Sequence, residues 1–227
     1  AITALFMPRA THLAEAKVDA GRLNAEQARI GRVALLVLLV ILGGFTCFGR
    51  EFVLLWVGPK YVAAWSVAMI IMLAYTLPLV QSFANQLLDA KGLFVFKAKV
   101  RLVMLPAGVL LGYELLSLMG VAGMAIGISI GWLLATLVMN IYYRRMLGLD
   151  NVAFFKALSR GTLPVFFTCL AVGSLLNQLP GEGWLVLGVR VILFTGVYSA
   201  LMYRFGMNLD ERHEVHRLLR RFKSIYA

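Results

Sequence analysis

Long apolar stretches without any charge divide this sequence into segments of membrane-spanning length. Residues 33–49, 61–88, 115–143 and 161–181 contain no Asp, Glu, Lys or Arg. Two further runs contain one charge each, 102–119 with Glu114 and 183–203 with Arg190. An α-helix needs about 20 predominantly apolar residues to cross the hydrocarbon core. The pattern predicts six transmembrane helices, at about residues 32–57, 61–88, 100–118, 121–143, 161–179 and 184–204.

Composition indicates the same class of protein. Of the 227 residues, 61% are hydrophobic and 15% are charged, whereas soluble domains have about 25% charged residues. We therefore predict an all-α, polytopic membrane protein. Cys47 and Cys169 are isolated in apolar runs, and the sequence contains no nucleophile elbow, Walker loop or paired carboxylate motif. We accordingly expect no enzymatic activity, no cofactor and no metal site.

Positive charges alternate between the two sides of the predicted spans. Nineteen of the 22 Lys and Arg residues fall before the first span, in the second and fourth loops, or in the C-terminal tail. The first loop holds Arg50 and Lys60, and the other two loops on that side hold none. Because basic loops stay in the cytoplasm, we predict that both ends of the chain are cytoplasmic. The net charge of +11 then reflects topology and attraction to anionic lipids rather than binding of nucleic acid.

This topology divides the chain into three regions. Residues 1–32 are predicted to be the end of a preceding helix and a cytoplasmic connecting segment, where Asn24 begins a capping box. Residues 33–204 form the six-helix membrane domain. Residues 205–227 form a basic amphipathic cytoplasmic helix on the inner leaflet, with a second capping box that begins at Asn208.

Three glycines of the fourth span, Gly123, Gly127 and Gly131, recur every four residues and so share one helix face. Such faces allow close backbone contact between membrane helices, and we predict that these glycines pack against a neighbouring span. A phosphate-binding glycine loop would need a preceding strand, which the sequence does not contain. Pro78 lies inside the second span, where it can kink the helix. It is a candidate hinge, although proline is also common in membrane helices without that role.

Two charged residues lie within predicted spans at similar depth. Glu114 lies six residues before Gly120, and Arg190 lies six residues after Trp184, which places each about 9 Å from the outer surface. An ionised side chain in the hydrocarbon costs about 2.5–3.5 kcal/mol, so opposite charges at equal depth predict a pair. Both are candidates for substrate contact or ion coupling. The alternative is that Arg190 extends to the interface and that Glu114 is protonated or lies near water.

Uncharged polar side chains and one aspartate gather at the predicted cytoplasmic ends of the second and fourth spans. The second span contributes Gln81, Asn85, Gln86 and Asp89, and the fourth contributes Asn140. We interpret them as residues that form hydrogen bonds between helices.

The order of four motifs resembles that of one membrane protein family. LFMPRATHLAEAKVDAGRLNAEQARIGRVALL resembles a helix that ends in proline before a polar cytoplasmic segment, and FVLLWVGPKYVAAW resembles an outer loop. QLLDAKGLFVFKAKV resembles an inner loop, and YELLSLMGVAGMAIGISIGWLL resembles a glycine-rich turn that opens a span of small residues. This order is similar to that of polysaccharide flippases in the multidrug/oligosaccharidyl-lipid/polysaccharide exporter superfamily.

The resemblance implies a bacterial inner-membrane transporter that moves an undecaprenyl-diphosphate-linked oligosaccharide by alternating access, for O-antigen, lipopolysaccharide or other polysaccharide biosynthesis. The six spans would be second-lobe helices plus two extra C-terminal helices, and the main cavity helices would precede this chain. A polysaccharide polymerase and glycosyltransferases would be partners. Two alternatives stay open, a multidrug exporter of the same fold and a non-transporting scaffold for glycan-assembly enzymes.

Overall fold

A computed structural model describes residues 19–208 and 211–212, and the part of the chain that it describes is helical, without strands. The helices are α1 (Ala20–Val57), α2 (Ala63–Val80), α3 (Ser82–Ala90), α4 (Phe94–Met119), α5 (Val121–Leu147), α6 (Asn151–Ser159), α7 (Thr162–Leu176) and α8 (Trp184–Leu201). A 3₁₀ turn, Pro59–Tyr61, leads into α2, and a π turn, Met202–Gly206, ends α8. The predicted all-α class is confirmed for these residues.

Five of the described helical segments are long and apolar enough to cross a membrane, or six if α6 and α7 count as one bent span. Many of their apolar side chains are exposed, among them Leu110 at 69% and Leu185 at 87%. Surfaces of this kind are unusual in water but ordinary in contact with lipid. The helices therefore indicate a multi-pass membrane protein.

The first helix begins well before the predicted span. α1 has 38 residues, and its N-cap is Asp19, whose carboxylate accepts a hydrogen bond from the backbone N–H of Gly21 at 3.2 Å. The predicted capping box at Asn24 is therefore wrong. The Asn24 amide instead donates to the carbonyl oxygens of Ala20 and Gly148, at 2.9 and 3.4 Å. The connecting segment and the first span thus form one continuous helix, and the earlier part of that segment lies outside the described residues.

The second predicted span contains a break, and the fifth follows one. The second span consists of α2 and α3, which are separated at Gln81 (φ −94°, ψ 12°), three residues after Pro78. Proline has no backbone N–H, so the last turn of α2 lacks one of its hydrogen bonds. The fifth span begins at Gly161, whose φ of 78° favours glycine, and the short helix α6 precedes it.

Glycines bring α4 and α5 into close contact. Gly108 and Gly112 on α4 are buried against Gly127 and Gly131 on α5. A Cβ atom added to Gly108 would lie 2.8 Å from Gly131 Cα, and one added to Gly127 would overlap the backbone of Gly112. Gly123 lies equally close to the α4 backbone. The glycines therefore lie at a tight helix–helix contact, where their spacing predicts them.

The chain divides into two compact units, one that ends at Leu158 and one that begins at Ser159. In the first unit α4 packs on α5, α5 packs on α2, and α2 packs on α1. α3 packs on α1, α2 and α5, and the buried apolar cluster that includes residues of α3 contains Leu23, Ile30, Phe83, Leu87 and Tyr143. In the second unit α7 packs on α8 and on the π turn. The predicted membrane domain, residues 33–204, thus contains the boundary between two units.

The predicted tail helix is described only at its start. The backbone N–H of Asn208 donates to Glu211 Oε2 at 2.8 Å, and the backbone N–H of Arg212 donates to Asn208 O at 3.1 Å. These bonds match one half of a capping box. Arg212 also donates to Arg204 O at 2.8 Å. The predicted amphipathic face of the tail lies outside the described residues.

Candidate functional site

One basic and two aromatic side chains meet inside the first unit. The guanidinium carbon of Arg101, on α4, lies 5.4 Å from the centroid of the Trp132 ring on α5, which is a cation–π contact. Tyr75, on α2, contacts the same indole, with ring centroids 4.8 Å apart. Three helices thus contribute one side chain each to this cluster.

Trp132 lies deep in the apolar part of α5. Trp132 is 12 residues before Arg144 and 11 residues after Val121 on α5, or about 18 Å and about 16 Å along the helix axis. The hydrocarbon core is about 30 Å thick, so Trp132 lies near its middle when α5 crosses it. A long basic side chain without a partner would extend to the interface. Arg101 instead packs over the indole.

The predicted start of the third span is too late, and Arg101 lies inside the helix. The sequence pattern starts the third span near residue 100, whereas α4 starts at Phe94. Lys97, Lys99 and Arg101 therefore belong to a helix rather than to a loop. Lys97 forms an ion pair with Asp89 and Lys99 is exposed, so the first turns of α4 can carry charge outside the hydrocarbon. Arg101 lies one turn further along and contacts the interior.

A small cavity lies beside Arg101. Its other lining residues include Pro78, Gln81, Asn85, Trp132, Thr136 and Tyr143. The volume of this cavity that is accessible to water is about 20 Å³, which is room for about one water molecule. The lining contains one arginine and no carboxylate, so its net charge is positive. In this conformation the cavity is too small for a sugar or a diphosphate.

The helix break after Pro78 places Gln81 at this cavity. Gln81 is fully buried, and its Nε2 donates to Asn140 Oδ1 at 2.5 Å. The predicted hydrogen bond between helices is therefore confirmed for these two residues. Asn140 O also accepts a hydrogen bond from Asn151 Nδ2 at 2.6 Å. The Oε1 atom of Gln81 is buried and has no hydrogen-bond partner in the described part of the chain.

Arg190 lies in the second unit and is 5% exposed. Its Nη2 atom donates to Leu179 O at 2.5 Å and to Gly181 O at 2.9 Å. Both carbonyls belong to the turn between α7 and α8, in which Gly181 has a φ of 121°. Arg190 therefore links α8 to the turn before it, and these bonds account for a buried arginine without any substrate.

Glu114 lies in the first unit and is exposed on α4. Its backbone carbonyl accepts a hydrogen bond from Ser117 Oγ at 2.8 Å. The ion-coupling role of Glu114 and its pairing with Arg190 stay predictions. The hinge role of Pro78 also stays a prediction, although the helix does break three residues after it.

Sequence reasoning missed Arg101 and Trp132 as functional candidates. Tryptophan in membrane helices is enriched at the interfaces, so the position of Trp132 in the middle of a span was an available signal. Nothing in the sequence indicated its contact with Arg101, because the two residues lie on different helices. The contact depends on the glycine interface, which sets the register of α4 against α5.

The cluster has the chemistry of an anion-binding site. A guanidinium carries five N–H donors, and a cation–π contact with an indole leaves donors available to a ligand. Such donors match the oxygen atoms of a phosphate in geometry and in charge. The resemblance to polysaccharide flippases rests on the order of sequence motifs, since no family model, no curated protein and no solved structure matches this chain.

Proposed function

We propose that this protein is a membrane transporter of the flippase type, which moves a lipid-linked oligosaccharide with an anionic diphosphate across a bacterial cytoplasmic membrane. The observation that carries the proposal is Arg101, a permanent cation about two turns into α4 that contacts Trp132 beside a polar cavity without carboxylates. The order of the sequence motifs supports the same class of substrate.

The energy of a charge in the membrane supports an anionic ligand. An ionised side chain in the hydrocarbon costs up to about 2.5–3.5 kcal/mol, the value at the centre of a membrane helix, and a cation–π contact offsets about 0.5–2 kcal/mol of it. A bound phosphate group would offset the remainder through charge-assisted hydrogen bonds to Arg101. A cationic drug would instead be repelled, so this site favours the glycan flippase over the multidrug exporter.

The transport cycle requires this cavity to enlarge, because it now has room for about one water. In our proposal the described conformation is a closed one. The break after Pro78 acts as the hinge, and movement there separates Gln81 from Asn140. α4 and α5 move as one piece, because close backbone contact along the glycines holds them together.

The proposal includes the orientation and the partners that the sequence predicts. Both ends of the chain face the cytoplasm, where glycosyltransferases assemble the lipid-linked glycan. A polymerase receives it on the opposite side. The basic cytoplasmic segments attract anionic lipids, and transport of this kind uses a coupling ion rather than a cofactor.

Substitution of Arg101 tests the proposal. Arg101→Gln removes the cation, and Lys99→Gln, two residues earlier on the exposed face of α4, is the matched control. Each variant is assayed for display of surface glycan in cells that lack their own flippase, and for transport of a fluorescent lipid-diphosphate glycan in proteoliposomes. Loss of one charged hydrogen bond, about 1.5–3 kcal/mol, predicts a decrease in rate of roughly tenfold or more for Arg101→Gln. The control keeps the wild-type rate.

Two results would contradict the proposal. Transport at the wild-type rate by a folded Arg101→Gln variant would show that Arg101 does not bind the anionic substrate. Transport of a cationic dye but not of the glycan by the wild-type protein would favour the multidrug exporter. Thermal unfolding of each variant in detergent separates a loss of transport from a loss of folding.

A further inference from the structure

A second, larger cavity lies at the end of α5 in the first unit. Its volume is about 620 Å³, within the range of about 300–1,000 Å³ that is typical of ligand pockets. The polar residues that line it are Asn140, Arg144, Asp150 and Asn151, and the apolar ones include Ile141 and Val152. The charge distribution predicts that this end of α5 faces the cytoplasm, at the level of lipid headgroups.

The cavity contains one anionic side chain in a fixed position. Asp150 Oδ1 accepts hydrogen bonds from the backbone N–H groups of Val152 and Ala153, at 3.0 and 3.1 Å. The backbone N–H of Asp150 donates to Asn24 Oδ1 at 2.8 Å. These bonds tie the carboxylate to the start of α6 and the Asp150 backbone to α1, and they do not involve the second carboxylate oxygen. The cation at the cavity is Arg144, exposed in the last turn of α5.

A buried acceptor at the same cavity has no donor. Asn151 Nδ2 donates to Asn140 O at 2.6 Å, whereas Asn151 Oδ1 is buried and has no hydrogen-bond partner among the described residues. A buried polar atom without a partner costs about 1–3 kcal/mol. A ligand that carries N–H or O–H donors would remove this cost, and it would meet the Asp150 carboxylate on the adjacent residue.

An apolar line leads from the cavity along α5. Leu134, Leu137 and Ile141 are 46%, 55% and 58% exposed, and their spacing of three and four residues places them on one helix face. The line ends at Arg144, and Val152, which is 75% exposed, also lines the cavity. A ligand with a polar head in the cavity and an apolar tail along this line would match both surfaces.

We propose that this cavity binds the headgroup of a zwitterionic phospholipid that carries a primary ammonium. The phosphate lies next to Arg144, the ammonium lies between the Asp150 carboxylate and Asn151 Oδ1, and an acyl chain follows the line from Ile141 to Leu134. The charges are complementary, since the cavity offers one cation and one anion. A primary ammonium supplies three N–H donors. A trimethylammonium headgroup supplies none, and an acidic headgroup brings a second negative charge toward Asp150.

Binding of three phospholipids with identical acyl chains tests the proposal. The full chain is purified in detergent, depleted of lipid, and titrated with phosphatidylethanolamine, phosphatidylcholine or phosphatidylglycerol, and the bound lipid is counted by native mass spectrometry. A charged hydrogen bond is worth about 1.5–3 kcal/mol, so phosphatidylethanolamine should bind roughly tenfold more tightly than phosphatidylcholine. Phosphatidylglycerol should also bind more weakly than phosphatidylethanolamine.

Three variants assign the contacts. Asp150→Asn keeps an oxygen that caps α6, because Asn is a good N-cap residue, and it should abolish the preference for phosphatidylethanolamine over phosphatidylcholine. Arg144→Gln should weaken binding of all three lipids. Arg145→Gln, the next residue on α5, is exposed but does not line the cavity and should behave like the wild type.

The possible results are distinguishable. Equal affinity of the wild type for phosphatidylethanolamine and phosphatidylcholine overturns the proposal, as does an unchanged preference in a folded Asp150→Asn variant. A preference for phosphatidylglycerol also overturns it and indicates a site for acidic lipids. Thermal unfolding without added lipid checks that each variant is folded. The transport assays with Arg101 variants do not bear on these outcomes, because the two cavities have different lining residues.

Discussion

Gln81 donates a hydrogen bond to Asn140 Oδ1 at 2.5 Å, and this bond joins the break between α2 and α3 to α5. Gln81 lines the cavity beside Arg101, and Asn140 lines the larger cavity at the end of the helix. The bond therefore lies between the two cavities. Because Gln81 lies at the break itself, a change in the angle between α2 and α3 would alter this hydrogen bond directly.

The strength of the Gln81–Asn140 bond can be measured with a double-mutant cycle. Gln81→Met and Asn140→Leu each remove one partner, and we expect a coupling free energy of about 0.6 kcal/mol, the average for hydrogen bonds between membrane helices. The measurement is reversible unfolding of the two single variants and the double variant in mixed micelles. Gln178→Met, at an exposed position in the turn after α7, controls for the loss of an amide. Additive single effects would mean that the bond contributes nothing to stability.

Glycine substitutions test the contact between α4 and α5. A Cβ atom at position 127 would overlap the backbone of Gly112, so Gly127→Ala must move one helix. We expect a loss of about 1–3 kcal/mol in the free energy of unfolding, the usual cost of overpacking. Gly196→Ala is the matched control, because a Cβ atom there would have no atom within 4 Å. It should be neutral or slightly stabilising, since alanine favours helix more than glycine does. Equal effects at both positions would contradict a glycine-dependent interface.

Much of the fold follows from local sequence, whereas the role of the Asn24 side chain depends on distant contacts. Apolar length predicts candidate spans, of which the described residues contain five or six, and the four-residue spacing of the glycines places them on one face. The capping pattern at Asn24 misleads because the Asn24 side chain bonds Gly148 and Asp150, more than 100 residues away. No local pattern reports such contacts. α1 instead starts at Ala20, with Asp19 as its N-cap.

The candidate site was less predictable than the fold, again for a physical reason. Charge within an apolar run identifies Glu114 and Arg190 because each interrupts its run alone. Arg101 is hidden because Lys97 and Lys99 precede it and give the segment the composition of a loop. Arg101 contacts Trp132 because of the way α4 is aligned along α5. That alignment depends on backbone contacts between the two helices, which the sequence of either helix alone does not reveal.

Substitution of Arg190 distinguishes a structural role from pairing with Glu114. Arg190→Met leaves the carbonyls of Leu179 and Gly181 without this donor, and we expect a loss of about 2–3 kcal/mol, since each bond to a charged group is worth about 1.5–3 kcal/mol. Glu114→Gln should be nearly neutral, because Glu114 is exposed. Reversible unfolding measures both. A charge exchange, Glu114→Arg with Arg190→Glu, should recover no stability, and recovery would support the predicted pair instead.

The predicted orientation can be tested with three lysine positions. Lys60, Lys91 and Lys156 are exposed, and they lie in the turn before α2, after α3 and on α6. We expect a membrane-impermeant maleimide to label a Lys60→Cys variant in intact cells, because basic loops stay in the cytoplasm and this loop is on the opposite side. Lys91→Cys and Lys156→Cys should react only after permeabilisation. The unsubstituted protein, with Cys47 and Cys169, is the blank.

The reverse labelling pattern would invert the orientation, and it would place the phospholipid cavity at the outer leaflet without altering its lining. Labelling of all three variants in intact cells would contradict the predicted topology itself. Lys60 and Lys91 are separated by α2 and α3, and the segment Pro59–Val80 is long and apolar enough to cross a membrane. Reaction at both positions would mean that this segment does not cross, and the placement of the Arg101 cluster within the membrane would then lose its basis, because Tyr75 lies on the same segment.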